Sequence, residues 1–502
     1  MDETALQQSR ERIDAAYSPQ LLREAGMRLA DQLARHMTKM QAAEGPVLPW
    51  RAPAENIAQA ASFLDQDKPA TLDRAKLADH FQQLVQTMLS AGQNLHHRHY
   101  IGHQVPAPVP IAGWFDAVGA VTNQVMAIYD MGPWATAVEH ALVDRLGQQM
   151  GMRQGEFAGL ITHGGSLANL TGLLTARNIM FPHSWERGVA NGPSPVMVVH
   201  HDAHYGVDRA AGILGIGTQN IVRIQLDDRR RMNVNHLDET LAGLRAVNRP
   251  IVAVVACACA TPIGAFDPLD DVADVCRRHE VWLHVDAAHG GSACFSQRQR
   301  HLVDGLHRAD SVVWDAHKMM FVPALCAFVF YKDKSHQYET FQQDAPYLFD
   351  PSAPGQAEFD SGLTTIECTK RAAAYGLWGL WSLFGPQLFA DMVDVTFDLA
   401  QRFYDLLCDA DDFEPLHQPQ CNIVAFRYLP TAIRHAAPER ISKLQFAVRR
   451  NVIESGDFYI VSTKLDGQGA LRATIINPLT TEDDLRELLT TIRQHGRPLA
   501  AG

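Results

Sequence analysis

A lysine in an unusual setting is the first residue in this chain to invite chemistry. No lysine occurs between Lys76 and Lys318, although arginine is frequent there. Lys318 ends an apolar run in SVVWDAHKMMFVPALCAF, with more apolar residues after it. Desolvation lowers the pKa of such an ammonium and frees a nucleophilic amine. The plainer reading is a lysine snorkelling from a strand end to water. Asp286 closes a second apolar run in VWLHVDAAHGG. A carboxylate there is costly to bury unless it meets a cation or a metal, although Asp is also common in turns. Ala287, Ala288, Gly290 and Gly291 follow it and leave room for something flat. In THGGSLANLTGLLTARN, Gly164, Gly165 and Ser166 open a helix whose apolar face is Leu167, Leu170, Leu173 and Leu174. Free N–H groups, a hydroxyl and the helix dipole there suit an anion such as phosphate. His204, just past a strand in VVHHDAHYGVDRAAG, can stack on a ligand ring, bind metal or satisfy a core carbonyl.

A strand-end lysine, a strand-end Asp, a phosphate-type helix start and a flanking imidazole form the set that pyridoxal 5′-phosphate demands. The lysine forms the Schiff base, the Asp keeps the pyridine nitrogen protonated, and the helix start takes the phosphate. Such a set needs an α/β scaffold, and the chain supplies one. Short β-branched runs recur between about 150 and 335: PVMVVHH, NIVRIQL, PIVAVVACACAT, VWLHVDAA, SVVWDAHK and LCAFVFYKD. Near-continuous apolar strands interleaved with helices predict a mainly parallel sheet covered on both faces. The last two runs are close enough to form an antiparallel hairpin. Residues 1–95 read as helices, with three-and-four apolar spacing in SPQLLREAGMRLADQLARHM. Residues 335–365 are polar and punctuated by Pro and Gly, the texture of a long lid or binding loop. After about 386 a smaller α+β part follows, with strands NIVAFRYL, FYIVSTKL and ALRATII and a closing helix. The expected organisation is an N-terminal helical segment (1–95), a large cofactor-binding α/β domain (96–385) and a small α+β domain (386–502).

Composition narrows the function classes. Lys+Arg 44 against Asp+Glu 56 gives a net charge of −12, which argues against a nucleic-acid or anionic-membrane partner. No apolar run approaches the ~20 residues that span a bilayer, and the opening MDETALQQSRERID does not resemble a secretory signal. The eight cysteines form no CxxC pair and mostly sit in apolar stretches, as suits a reducing cytoplasm.

The stretches ITHGGSLANLTGLLTARN, HDAHYGVDRAAG, ATPIGAFDPLDDVADVCRRHEVWLHVDAAHGG and DSVVWDAHK resemble the group II pyridoxal-phosphate amino-acid decarboxylases. That family includes the glutamate, cysteine-sulfinate, aromatic-L-amino-acid and 2,4-diaminobutyrate decarboxylases. The resemblance runs from about residue 95 to the C-terminus and more loosely over the N-terminal helices. It implies the type I pyridoxal-phosphate fold, like aspartate aminotransferase, and a homodimer with active sites at its interface, which the cysteine usage above places in the cytoplasm. By resemblance Lys318 carries the cofactor, with His317 a phosphate-side neighbour. Asp286 pairs with the ring nitrogen, Ala288 packs near the ring, His204 stacks on it, and Thr261 contacts the cofactor. Gly164, Gly165 and Ser166 hold the phosphate, and Arg472 in LRATIINP takes the substrate α-carboxylate. Tyr347, in QQDAPYLFD, matches the loop tyrosine that reprotonates the substrate carbon. No metal is implied.

Two positions depart from the family pattern. Asp315 stands where Asn is frequent, and His289 where the aromatic decarboxylases carry Tyr. The segment NLHHRHYIGHQVPAPVP corresponds to the family's substrate wall and is rich in imidazoles: His96, His97, His99 and His103, with Tyr100 and Gln104. Tyr100, His103 and Gln104 are the candidate substrate contacts. The segment predicts a polar pocket for an acidic or diamino side chain, unless half of these histidines point away to satisfy backbone groups. Two other activities are weighed against amine-forming decarboxylation. One is decarboxylation with oxidative deamination to an aldehyde, against which Tyr347 counts. The other is a metal-dependent hydrolase built on the histidine clusters, which lacks an HExxH spacing and leaves Lys318 unexplained.

Overall fold

The structure, a computed structural model, describes residues 3–65, 73–189, 192–341 and 359–501. A seven-stranded sheet lies at its centre. In chain order the strands are β1 (Ala158–Thr162), β2 (Val196–His200), β3 (Ile221–Ile224), β4 (Ile251–Cys257), β5 (Leu283–Asp286), β6 (Ser311–Asp315) and β7 (Ala327–Tyr331). Across the sheet the order is β1–β7–β6–β5–β4–β2–β3. Strands β2 to β6 pair in parallel, whereas β7 is antiparallel to both β6 and β1. The mainly parallel sheet expected from the apolar runs is present, and its two closely spaced runs form the antiparallel pair. Every residue of β4 is buried, because helices cover both faces of the sheet and neither face meets water.

Strand β1, with the sequence AGLIT, is the one central strand that the apolar runs do not reveal. It is short, carries Gly159, and stands directly before a glycine turn. The glycine has a packing reason: a Cβ there would lie 2.9 Å from the Phe330 ring and from the Val329 carbonyl oxygen. Two successive antiparallel pairings give β1 the same direction as β2 to β6. The C-terminal ends of β1, β2, β4, β5 and β6 therefore share one edge of the sheet, where open α/β sheets place their ligands.

A second sheet comprises β8 (Phe413–Pro415), β9 (Ile423–Tyr428), β10 (Val461–Leu465) and β11 (Gln468–Thr474), in the order β8–β9–β11–β10 and antiparallel throughout. It has its own apolar core, including Phe403, Phe426, Val448 and Ile492, beneath helices Gln387–Cys408, Pro438–Ser455 and Glu482–Ala501. Among the described residues no helix is long and apolar enough to cross a membrane.

A buried ion pair anchors β1. Lys370 Nζ donates to Glu139 Oε1 and to the Ile161 carbonyl, and Ile161 N–H donates to the same Glu139 oxygen. Lys370 and Glu139 keep only 2% and 5% of their exposure. Lys370→Met would strand the Glu139 carboxylate and is expected to cost about 3–5 kcal/mol. The doubly substituted Glu139→Leu, Lys370→Met protein should recover most of that. Urea denaturation midpoints of the two proteins check the expectation.

Candidate active site

At the shared edge, each candidate side chain is held by a strand end or a helix start. Helix Gly165–Met180 begins three residues after β1, and the turn between them needs Gly164, whose φ is +111°. A Cβ on Gly165 would lie 2.6 Å from Asp315 Oδ2, so the helix start and the end of β6 are in direct contact. The first N–H groups of this helix have no intrahelical acceptor. Ser166 and His204 meet across Gly206, where a Cβ would lie 3.4 Å from Ser166 Oγ and 2.9 Å from His204 Nδ1. His204 caps helix Tyr205–Ile213, its Nδ1 accepting from the Gly206 N–H at 3.1 Å. Burial holds the His204 pKa below its ordinary value; Asp286 opposes this and Lys318 adds to it.

Asp286 ends β5 and is 7% exposed. Its Oδ2 accepts from Asn169 Nδ2 at 3.2 Å and its Oδ1 from the Ala288 N–H at 3.2 Å. Each oxygen keeps a lone pair for a further donor. The Ala288 carbonyl accepts from the Asp315 N–H at 3.1 Å, tying the turn after β5 to the end of β6. Thr261 is half-buried in the loop after β4, on the same edge.

Lys318 lies three residues beyond β6, and its Nζ is 3.2 Å from Asp315 Oδ2. The same oxygen is 3.6 Å from His317 Nε2, while His317 Nδ1 contacts the Cys326 carbonyl at 2.8 Å. Asp315 is 1% exposed and its Oδ1 has no partner among the described residues. The charge balance differs from the sequence reading. Burial does disfavour the Lys318 ammonium and is the largest single influence, yet Asp315 and Asp286 together outweigh it, and the pKa is raised. In the cofactor-free protein Lys318 is a held ammonium, not a free amine.

Arg472, in β11, faces this edge from the second sheet. It is 7% exposed, and its Nε and Nη2 have no hydrogen-bond partner among the described residues. Burial pushes its guanidinium down to about 10, opposed by the Cys421 and Cys259 thiols beside it. A buried cation without an acceptor is expensive, so this side chain is built for an anion that arrives from outside. His289 is buried with Nε2 against Asn422 Oδ1 at 2.8 Å, and burial, chiefly, pushes it down to about 3.

The imidazole-rich segment divides. His96 Nε2 donates to the Pro108 carbonyl at 2.8 Å. His97 Nδ1 accepts from the His99 N–H at 3.1 Å. His99 stacks on Phe458 and reaches the Asp457 carbonyl and Asp484 Oδ1. These three serve the backbone and the packing. His103 instead keeps part of its surface open to solvent and tilts against Tyr459; the partial desolvation of its ring, with Arg472 and Arg449, lowers its pKa. Tyr100 is 1% exposed and stacks on Tyr459, with ring centroids 5.5 Å apart. Gln104 is half-buried beside His103. Tyr347 lies outside the described residues. Among the described residues, no three or more His, Cys, Asp or Glu side chains are grouped to hold a metal ion.

The arrangement suits a flat, anionic carbonyl cofactor. A lysine nitrogen, a carboxylate with spare lone pairs, a helix start and an imidazole share one edge, with a guanidinium across from them that is unpartnered at Nε and Nη2 among the described residues. Three residues beyond the sequence reading also belong here: Asn169, His284 and Arg449. A polar Asn four residues after Gly165 and a His two residues before Asp286, hence on the same side of the strand, were the available signals.

Known proteins resemble this chain in sequence and in fold. The pyridoxal-dependent decarboxylase conserved domain matches residues 59–429. The acidic amino acid decarboxylase GADL1 of Mus musculus is 31% identical over 384 residues, covering 75% of this chain and 70% of that protein. The Homo sapiens protein of that name is 30% identical over the same length, covering 75% and 73%. Mouse CSAD, a crystal structure, superposes with a TM-score of 0.85 at 25% identity, covering 95% of this chain and 98% of that one. Oryza sativa TDC, solved with PLP and tryptamine, superposes at 0.86 and 21% identity over 96% and 99%, a likeness of fold.

Proposed function

This chain belongs to the pyridoxal-dependent decarboxylase family and is a pyridoxal-phosphate carboxy-lyase acting on an amino acid; on that premise we propose that its substrate carries an acidic side chain. The observation that carries the proposal is the cationic substrate side: Arg472 is buried with Nε and Nη2 unpartnered among the described residues, and Arg472 and Arg449 both act on His103. Two carboxylates complement that field, whereas a diamino acid would bring like charge to it. The names of the GADL1 relatives point the same way.

Bound pyridoxal phosphate supplies the electron sink for the bond between Cα and the departing carboxylate. The chain's residues supply the rest. Lys318 Nζ would hold the cofactor covalently once its ammonium has given up a proton, with the Asp315 carboxylate 3.2 Å away opposing that loss. Asp286 holds the proton on the ring nitrogen. Gly164, Gly165 and Ser166 take the phosphate at the helix start, with His317 beside it. His204 would stack on the bound cofactor's ring, and Ala288 and Thr261 would lie beside it. Arg472 orients the α-carboxylate, while His103, with Tyr100 and Gln104 in the same segment, forms the side-chain end. Tyr347 is assigned the return of a proton to Cα. The site is assigned to a cytoplasmic homodimer. Ile111, Trp114, Val118 and Val121 leave an exposed apolar stripe along helix Pro110–Thr122, which favours burial against a second copy.

The test is CO2 release from L-glutamate, L-aspartate and L-cysteine sulfinate against L-2,4-diaminobutyrate and L-tryptophan, with amine and peroxide measured alongside. One acidic substrate should exceed the others in kcat/KM by about 10²-fold or more, with amine and no peroxide formed. Fastest turnover of the diamino or aromatic acid, or an aldehyde product, would sink the proposal. Sedimentation of the same preparation should give twice the chain mass.

A further inference from the structure

Behind Asp286 runs a line of buried polar side chains with no surface role. Asn169, His284 and Ser311 are 2%, 0% and 0% exposed, and Trp282 is 4% exposed. Asn169 Nδ2 donates to the Gly165 carbonyl at 2.9 Å and to Asp286 Oδ2 at 3.2 Å. Both of its amide hydrogens therefore face acceptors, and the reverse amide orientation would set oxygen against oxygen at both places. Asn169 Oδ1 is left to face His284 Nε2 at 2.8 Å. That oxygen only accepts, so Nε2 carries the imidazole hydrogen. Burial pushes His284 down to about 4 against the pull of Asp286, so the ring is neutral and Nδ1 is a bare acceptor. Ser311 Oγ, 2.8 Å from Nδ1, must donate to it. The Trp282 indole N–H in turn donates to Ser311 Oγ at 2.9 Å. Space for the imidazole is reserved by Gly172, where a Cβ would lie 2.9 Å from His284 Cε1.

We infer that Trp282, Ser311, His284 and Asn169 form a one-directional donor relay that orients Asp286 and keeps it a carboxylate facing the cofactor's ring nitrogen, with Asn169 and His284 as its positioning residues. Every hydrogen in the line points toward Asp286, so the aligned dipoles favour negative charge there. Asn169 also joins the Gly165 carbonyl to Asp286, so one amide sets the spacing between the phosphate end and the ring-nitrogen end. The inference rests on the proposed pairing of Asp286 with the ring nitrogen.

The test uses full-length apoprotein titrated with pyridoxal phosphate, following both the dissociation constant and the absorption of the bound cofactor between pH 6 and 9. Wild type should bind tightly with a spectrum flat in pH. His284→Leu removes the donor to Asn169 and should weaken binding about tenfold, the equivalent of one lost neutral hydrogen bond. Its bound spectrum should become pH-dependent as the ring nitrogen loses its fixed proton. His284→Gln, whose amide can donate near the Nε2 position, should restore most of both. Ser311→Ala, a milder change that keeps the fold, should give a smaller shift of the same sign. Wild-type affinity and spectrum in His284→Leu, or equal defects in His284→Leu and His284→Gln, would overturn the relay. An Asp286→Asn protein with a wild-type spectrum would instead overturn the ring-nitrogen pairing itself, which separates the two failures.

Discussion

Replacing Lys318 with alanine is expected to lower kcat by on the order of 10⁴-fold or more, and to abolish covalent fixation of the cofactor by borohydride. Mass spectrometry of a tryptic digest reads the second effect: wild type should carry the reduced adduct on the peptide containing Lys318, and the variant on none. An adduct on another lysine, or near-normal CO2 release by the variant, would remove Lys318 from the mechanism. The site's electrostatics add a pH-dependent companion result. Burial alone would make Lys318 a readier nucleophile, but Asp315 and Asp286 raise its pKa and keep it charged. A raised pKa means less free amine at neutral pH, so cofactor uptake by apoprotein should quicken as pH rises. Asp315→Asn removes the nearest opposing charge and leaves burial in command. Each unit by which the pKa then falls gives about tenfold more free amine, so uptake at neutral pH should be faster in that variant. Slower uptake would mean that Asp315 serves as the proton acceptor whose loss outweighs the gain in free amine.

The difference between the two accounts of Lys318 shows what a linear sequence carries and what it does not. Strand ends and glycine turns have local signatures, so Lys318, Asp286 and the Gly164–Gly165 turn can be picked out by inspection. Their meeting follows from β-strand order, which apolar runs predict only in outline. Asp315 is three residues from Lys318 and equally visible, but its carboxylate reaches the amine only because the chain turns back at the end of β6. Asn169 and Asp286 are 117 residues apart, and their contact depends on where helix Gly165–Met180 crosses the sheet. No periodicity encodes that. The histidine-rich segment was ambiguous for a related reason. His96, His97 and His99 have the same composition signal as His103, and only the packing of residues 457–460 against the segment separates structural imidazoles from an exposed one.

Arg472→Met is expected to move activity and stability in opposite directions. With an acidic substrate, kcat/KM should fall about 10²–10³-fold, since a lost charge-assisted contact to a carboxylate amounts to about 2–5 kcal/mol. Most of that should appear in KM, because the contact to the carboxylate is already made in the bound ground state. Stability should rise, by about 1 kcal/mol or more. The guanidinium is buried, its Nε and Nη2 have no partner among the described residues, and its pKa is pushed down to about 10 by that burial, so the fold bears a desolvation cost that a methionine of similar length does not impose. A structural arginine gives the reverse pattern, in which removal loosens the fold and activity declines only in step with folded protein. Urea unfolding of cofactor-free wild type and variant, set beside their kinetics, distinguishes the two. Destabilisation with an unchanged KM would show that Arg472 holds β11 in place and does not take the substrate carboxylate.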